Sequence, residues 1–404
     1  MTVLFALALA SLAAWVYLLA FHGRFWRGDQ FFDPAGIASP PAWPPVAAVV
    51  PARNEEETIE AVLRSLLAQD YPGPYRIVLV DDRSTDATAA KGAALAAGEQ
   101  GRTRLAVVSG APLPAGWAGK LWAQQQGIAE ALARQPDTQF FFFSDADIAH
   151  APETLRALVA KAETGNRDLV SLMARLSCSS PWERLLIPAF IFFFQKLYPF
   201  PRANDDGSRT ATAAGGCVLL RRRALESIGG LAALKGALID DCTLAKRVKR
   251  AGGRLWIGLT DASRSLRVYR HLRPIWMMVA RSAFTQLRYS ALLLLGTVAG
   301  MTLLYLAPPA LLLAYPLHGD PGAAAMAALA CLLTAVAYRP TIAYFALPWP
   351  WVPTLPAAAL LYVAMTVDSA RRHWLGRGSH WKGRDYSRRD LARERNGRSL
   401  DVSG

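Results

Sequence analysis

Three pairs of close carboxylates could do chemistry in this chain: Asp81-Asp82, Asp145 and Asp147 around Ala146, and Asp240-Asp241. Neighbouring carboxylates repel, so hydrogen-bond donors, a cation or a solvated edge must offset the cost. Asp145 and Asp147 present hard oxygen ligands of the kind Mg²⁺ or Mn²⁺ prefers, and such a metal bridges readily to a diphosphate. Asp240-Asp241 opens a segment that runs through Lys246, Arg247, Lys249 and Arg250. Acids at its start and bases at its end match a helix dipole, and a carboxylate there can also serve as a general base. After Asp82, Ser84 or Asp86 suits a helix cap while Asp82 stays available to a ligand. Pro51-Ala52-Arg53-Asn54-Glu55 is either an ordinary helix start or a turn whose free amides face an anionic or polar ligand.

These acids follow short β-rich runs at 46–50, 76–80, 104–108, 140–143 and 168–172. Between the first two runs, Ile59, Val62, Leu63, Leu66 and Leu67 share one helical face. Alternation of strands and helices predicts an α/β fold with a mostly parallel sheet covered on both sides, which binds ligands at the carboxyl ends of its strands. The run Phe140-Phe141-Phe142-Phe143 reads as a buried strand that delivers Asp145 and Asp147 to such an end.

The chain has 404 residues, 52% hydrophobic and 19% charged, with a formal charge of +14. Ten of its Lys and Arg lie between Arg371 and Arg398, beside long apolar runs, so an anionic membrane surface accounts for the charge and nucleic acid is not expected as a partner. Its four cysteines are scattered, which excludes a disulfide framework or zinc ribbon and fits a reducing compartment. Residues 2–21 carry no charge and are long enough to span a bilayer. A cleaved signal peptide competes with that reading, but the basic n-region is missing and Arg24 and Arg27 follow the apolar run. The expected organisation is an anchor at 1–22, a linker at 23–45, the α/β domain at 46–265, an interfacial segment at 266–290, transmembrane helices over 291–368 and a basic tail at 369–404. Apolar segments at 291–317, 323–337 and 351–367 are separated by proline-containing breaks, including Arg339-Pro340. Three full crossings would put the basic tail opposite a cytoplasmic domain, against the positive-inside rule, so one segment is expected to be re-entrant or interfacial. Residues 185–200 suit a helix lying in the interface or one buried in a core.

Val50-Pro-Ala-Arg-Asn-Glu-Glu, Val80-Asp-Asp-Arg-Ser-Thr-Asp, Ser144-Asp-Ala-Asp and Ile239-Asp-Asp-Cys-Thr-Leu, in this order, resemble glycosyltransferase family 2. The resemblance implies a GT-A (Rossmann-like) domain that inverts the sugar's anomeric carbon, flanked by N-terminal and C-terminal transmembrane helices. The run 113–123, Gly215-Gly216 and Trp381-Lys382-Gly-Arg384-Asp-Tyr386 extend it to membrane-bound glycosyltransferases of hopanoid clusters, relatives of ceramide glucosyltransferase. Carried over by position, the family pattern puts the nucleotide base on Asp82, with Pro51, Arg53 and Glu55 in the same pocket. Asp145 faces the ribose, Asp147 holds the metal with it, and Lys120 lies near the nucleotide or phosphate unless it is an exposed helix-start lysine. Asp241 is the catalytic base beside Asp240, where the family has Glu. Gln286 and Arg288 stand for the Gln-x-x-Arg-Trp motif, shortened by one residue and without Trp, so processive synthesis is not expected. The implied partners are a nucleotide-diphosphate sugar, a lipid acceptor and the membrane; the implied location is a bacterial inner membrane with the domain cytoplasmic. A synthase that translocates a growing glycan and an inactive nucleotide-sugar scaffold are the competing readings.

Overall fold

Nine strands form one sheet: β1 (Phe31–Phe32), β2 (Val46–Ala52), β3 (Tyr75–Asp81), β4 (Leu105–Ser109), β5 (Phe140–Ser144), β6 (Ile148–His150), β7 (Leu169–Arg175), β8 (Cys217–Arg221) and β9 (Leu255–Ser265). This is a computed structural model describing residues 2–237 and 239–375, and the backbone of 379–381 and 384–386. The tail's Lys382 and the basic residues beyond Tyr386 lie outside the described residues, as does Leu238. The neighbour order is β1-β9-β7-β8-β5-β2-β3-β4, with β6 on β9. Pairings among β2, β3, β4 and β5 are parallel, as are β7 and β1 on β9, whereas β8 runs antiparallel between β5 and β7. The expected mostly parallel α/β sheet is therefore present. All five expected runs are strands, and β1, β6, β8 and β9 complete the sheet.

Burial explains the continuous apolar strands. Phe140 and Phe142 of β5 enter one core layer and Phe141 and Phe143 the other, because side chains alternate across a sheet covered on both faces. The helices used below are α1 (Val3–Phe21), α2 (Ile59–Leu67), α3 (Thr88–Ala97), α4 (Gly119–Arg134), α5 (Thr154–Thr164), α6 (Pro181–Leu197), α7 (Asp240–Arg250), α8 (Leu272–Gln286), α9 (Ala291–Leu313), α10 (Pro321–Tyr344) and α11 (Leu355–Trp374). The apolar faces of α2 and α5 fill the first layer, and those of α4 and α7 fill the second. The stretch expected as a linker contributes β1, which pairs in parallel with β9 through Phe31 and Leu259, and Phe32 is buried beside Trp256. An apolar Phe-Phe step has more to gain at a sheet edge than in solvent.

A second compact unit consists of Met1–Asp29, Ser177–Pro201 and Val268–Ser379. Within it, Val3–Phe21, Ala291–Leu313, Pro321–Tyr344 and Trp349–Trp374 are long and apolar enough to cross a membrane. Helix α10 is longer than the expected 323–337 and runs through Pro340. The missing N–H forfeits one backbone bond, while burial of Tyr338, Thr341 and Ile342 holds the last turn. Helix α9 stops at Leu313, short of the expected 317. Helix α11 continues past 367 because Asp368 pairs with Arg371 at 2.9 Å and Arg372 at 2.7 Å, one turn on. The segment expected at 185–200 is α6, whose start is closed by a capping box between Ser180 and Glu183. Its Leu186, Ile187, Ile191 and Phe192 are buried in the unit, the second of the two expected placements. Within the segment expected at 266–290, Leu272–Gln286 form α8, which is tied to α11 by the Trp276 indole donating to Asp368 at 2.8 Å.

Helix directions in this unit follow from side-chain contacts. Thr2 donates to Asp320, so α1 and α10 start side by side; Phe25, just past α1, and Tyr338, near the end of α10, both pack on Phe192. These two helices run in the same direction. Helix α9 runs the other way, since Leu311 meets Ala8 while the Leu304 carbonyl accepts from Trp15 at 3.0 Å. The end of α11 returns to the start of α9, where Tyr289 stacks on His373 at 4.3 Å and Ala370 clusters with Phe284 and Leu294. The segment from Phe345 to Trp374 therefore begins and ends on one face of the unit.

Candidate active site

The turns after β2 and β3 are stitched together. Pro51 lies within buried β2, and Asp82 is fully buried with its amide donating to the Ala52 carbonyl at 2.7 Å. The Arg53 guanidinium donates to the carbonyls of Asp82 and Arg83, at 2.5 and 3.1 Å. Asn54 and Arg83 both take left-handed backbone angles, φ 51° and 58°, and Asn tolerates this because its side chain finds local partners. Here the Asn54 amide donates to Ser84 at 3.0 Å and the Asn54 carboxamide oxygen accepts from the Thr85 amide at 2.9 Å. The N-cap position of α3 is Ala87, which offers no side-chain cap, and Asp86 just before it accepts from the Thr88 amide at 3.0 Å. Pro51, Arg53 and Asp82 are thus brought together, with Arg53 bound to backbone, while Glu55 turns to a residue that the motifs did not flag.

That residue is Arg267, just beyond β9. Its Nε donates to Asp147 at 2.8 Å, and its Nη2 donates to both Glu55 oxygens at 2.9 and 2.8 Å. Antiparallel pairing of β6 with β9 sets Ile148 opposite Ser265, and the Leu266 amide donates to the Asp147 carbonyl at 2.8 Å. The sequence carried a weak signal in the basic series Arg264, Arg267 and Arg270, but nothing in it named the partner.

Asp145 directly follows β5 and meets Lys120 at 2.6 Å. Lys120 is the second residue of α4, which lies close on the sheet because Gly127 has no side chain: a Cβ there would fall 2.4 Å from Val49 Cγ1. The lysine is largely covered, so it is not an exposed helix-start residue. Burial opposes its charge, but Asp145, Asp240 and Asp241 outweigh burial and hold the ammonium above the ordinary lysine range. Burial pushes the Asp145 carboxyl up; Lys120 pulls it back and Asp147 adds repulsion.

Asp241 sits in the first turn of α7. Its Oδ2 accepts from the Gly215 amide at 2.9 Å and its Oδ1 from the Cys242 amide at 2.7 Å. A Cβ on Gly215 would stand 3.1 Å from Asp241 Oδ2 and 3.2 Å from Lys120 Nζ, so glycine allows the chain to pass between base and ammonium. Burial, then repulsion from Asp240, push the Asp241 carboxyl up to about 6 against the pull of Lys120. Lys120, Gln124, Gly215, Asp240 and Asp241 line a small recess. The structure therefore joins Asp145, Lys120, Asp240 and Asp241 into one cluster. Gln286 and Arg288 belong to the helical unit: Gln286 ends α8 and donates to the Tyr198 hydroxyl at 2.5 Å, and Arg288, two residues on, takes φ 51°.

Among the described residues no group of three or more His, Cys, Asp or Glu gathers to hold a metal. Asp145 and Asp147 nevertheless each hold a cationic nitrogen, at 2.6 and 2.8 Å, so both acids already sit where positive charge is favoured. Two carboxylates suit Mg²⁺ or Mn²⁺ when the remaining ligands are phosphate oxygens and water. The pair fits such an ion.

Residues 47–229, a little under half of the chain, match the profile described as glycosyl transferase family 2, and the fold is GT-A-like. A 93-residue stretch is 38% identical to an N-acetylglucosaminyltransferase of Azorhizobium caulinodans, covering 22% of this chain and 23% of that protein. The chain thus spans about a quarter of that relative's length. Among solved structures, a mannosyltransferase from Pyrobaculum calidifontis in complex with GDP-Man and Mn²⁺ shares the fold, with a TM-score of 0.56, 22% identity, and coverage of 90% of this chain and 99% of that one. Glucosyl-3-phosphoglycerate synthase from Mycobacterium tuberculosis, in complex with Mn²⁺, UDP and phosphoglyceric acid, has 19% identity and a TM-score of 0.38 over 64% of this chain and 78% of its own.

Proposed function

We propose that the chain is a membrane-bound inverting glycosyltransferase that moves a sugar from a nucleotide-diphosphate donor to the hydroxyl of a lipid. The observation that carries this is the carboxylate Asp241, pushed up to about 6 and linked through Gly215 and Lys120 to Asp145 at the end of β5. Asp241 is the base that takes the acceptor's proton. Asp82, with Pro51 and Arg53, holds the nucleotide base, Asp145 faces the ribose, and Lys120 meets the phosphates. A divalent ion on Asp145 and Asp147 would neutralise the departing nucleoside diphosphate. One displacement from the face opposite the leaving group inverts the anomeric carbon and needs no enzyme nucleophile.

The lipid acceptor is supported by the four apolar helices, which a soluble acceptor would not require. A hopanoid or related polyisoprenoid lipid is the favoured class, on the matching runs around Lys120 and Gly215-Gly216. The domain would lie on the cytoplasmic side of a bacterial inner membrane. Because the segment 345–374 begins and ends on one face, α11 is the segment that does not cross, and its end at Trp374 returns to the side of Arg24, Arg27 and Arg288, where the positive-inside rule favours the basic tail. To test the acceptor, membranes are incubated with labelled nucleotide sugar and extracted with organic solvent, and the product is identified by mass spectrometry. Label on a hopanoid is expected; label in soluble glycan or protein alone would defeat the lipid assignment, and label on another lipid would defeat the hopanoid part.

A further inference from the structure

We propose, on the glycosyl-transfer reading of the site, that Arg267 is a resident cation that keeps the metal position closed until a nucleoside diphosphate arrives, making divalent-ion binding depend on nucleotide. One guanidinium serves two carboxylates from distant parts of the chain, Asp147 at 2.8 Å and Glu55 at 2.8 and 2.9 Å. Arginine stays protonated in proteins, so it cannot yield the position by losing its charge. A dication placed on Asp147 beside it would meet a fixed positive charge within bonding distance. A diphosphate removes the conflict, because it brings negative charge for the ion and planar-fork acceptors for the arginine. Arg267 can make that exchange: its side chain is 34% exposed, while Glu55 and Asp147 are more covered. The β6–β9 pairing keeps its backbone beside Asp147 throughout.

The test is Mn²⁺ titration of the purified full chain in detergent, reading free Mn²⁺ by electron paramagnetic resonance, alone and with saturating UDP or GDP. In the wild type, nucleotide is expected to tighten Mn²⁺ binding by about tenfold or more, within the usual range of coupling between sites. Arg267→Gln is expected to bind Mn²⁺ alone about tenfold more tightly than wild type, with most of the nucleotide effect gone, whereas Arg267→Lys retains that effect. Should Arg267→Gln fail to fold, Glu55→Gln leaves the guanidinium charge on Asp147 without its second acid and should weaken nucleotide-free Mn²⁺ binding, and an unchanged affinity would overturn the inference. Equal nucleotide-free affinities in wild type and a folded Arg267→Gln would overturn the inference while leaving the proposed function standing. Absence of Mn²⁺ binding in every protein, even with UDP or GDP, would overturn it together with the metal assignment.

Discussion

Asp241 is buried next to a second acid, and this combination raises its proton affinity without removing the lysine that tempers it. As a base it works only when ionised, so transfer should rise with pH through about 6. Asp240→Asn removes a repelling charge and should move that midpoint to lower pH, read from the pH profile of kcat. Asp241→Asn should cost about 10²–10⁴ in rate while nucleotide binding, followed by calorimetry, stays near normal. Loss of nucleotide binding would instead assign Asp241 to the donor. At this scale the sequence was informative where acids follow apolar runs: Asp82, Asp145 and Asp147 all stand at strand ends. It was silent on Arg267, whose partner Asp147 is 120 residues away and is met only through an antiparallel pairing of a three-residue strand. On Gln286 and Arg288 it was legible only as a shortened motif, because such a motif does not say which unit its helix joins.

Strands β2 to β5 were legible as elements because a sheet buried on both faces writes itself as unbroken apolar runs. Strand β9 escaped because Gly258, Thr260 and Asp261 interrupt its pattern, and five-residue β8 looks like any short apolar stretch. Strand β6 ends in His150, a buried imidazole held by Ser144 at 2.8 Å and Ser263 at 2.9 Å. Burial depresses it from 6.5 to about 3. Below the unfolded value the unfolded chain binds a proton that the folded chain refuses, so stability is full above about pH 6.5 and falls by about 1.4 kcal/mol per pH unit as pH drops towards 3. His150→Gln loses hydrogen-bond geometry at neutral pH but also loses this acid penalty. Its melting temperature should trail wild type at pH 7.5 and draw closer by pH 5; a constant difference would contradict the assignment.

On the scale of the whole molecule, four apolar segments were expected and one of them was expected not to cross, but which one begins and ends on a single face was not legible. Hydropathy records length; direction comes from contacts such as Tyr289 on His373. With the native cysteines replaced, Leu317→Cys, 89% exposed at the turn after α9, should react with an impermeant thiol reagent in intact cells. Glu99→Cys and Leu375→Cys should react only after permeabilisation, and labelling of Leu375→Cys in intact cells would mean that α11 crosses. The helical unit is also assembled from three separated stretches of chain, and this governs the order of its birth on the ribosome. Helix α6 emerges long before Tyr338, which packs on Phe192, and Tyr362, whose hydroxyl donates to the Leu186 carbonyl. During synthesis its apolar face must therefore wait, shielded by lipid or chaperone, and a ribosome that stops early releases a chain marked for degradation by the surface its missing helices would have covered.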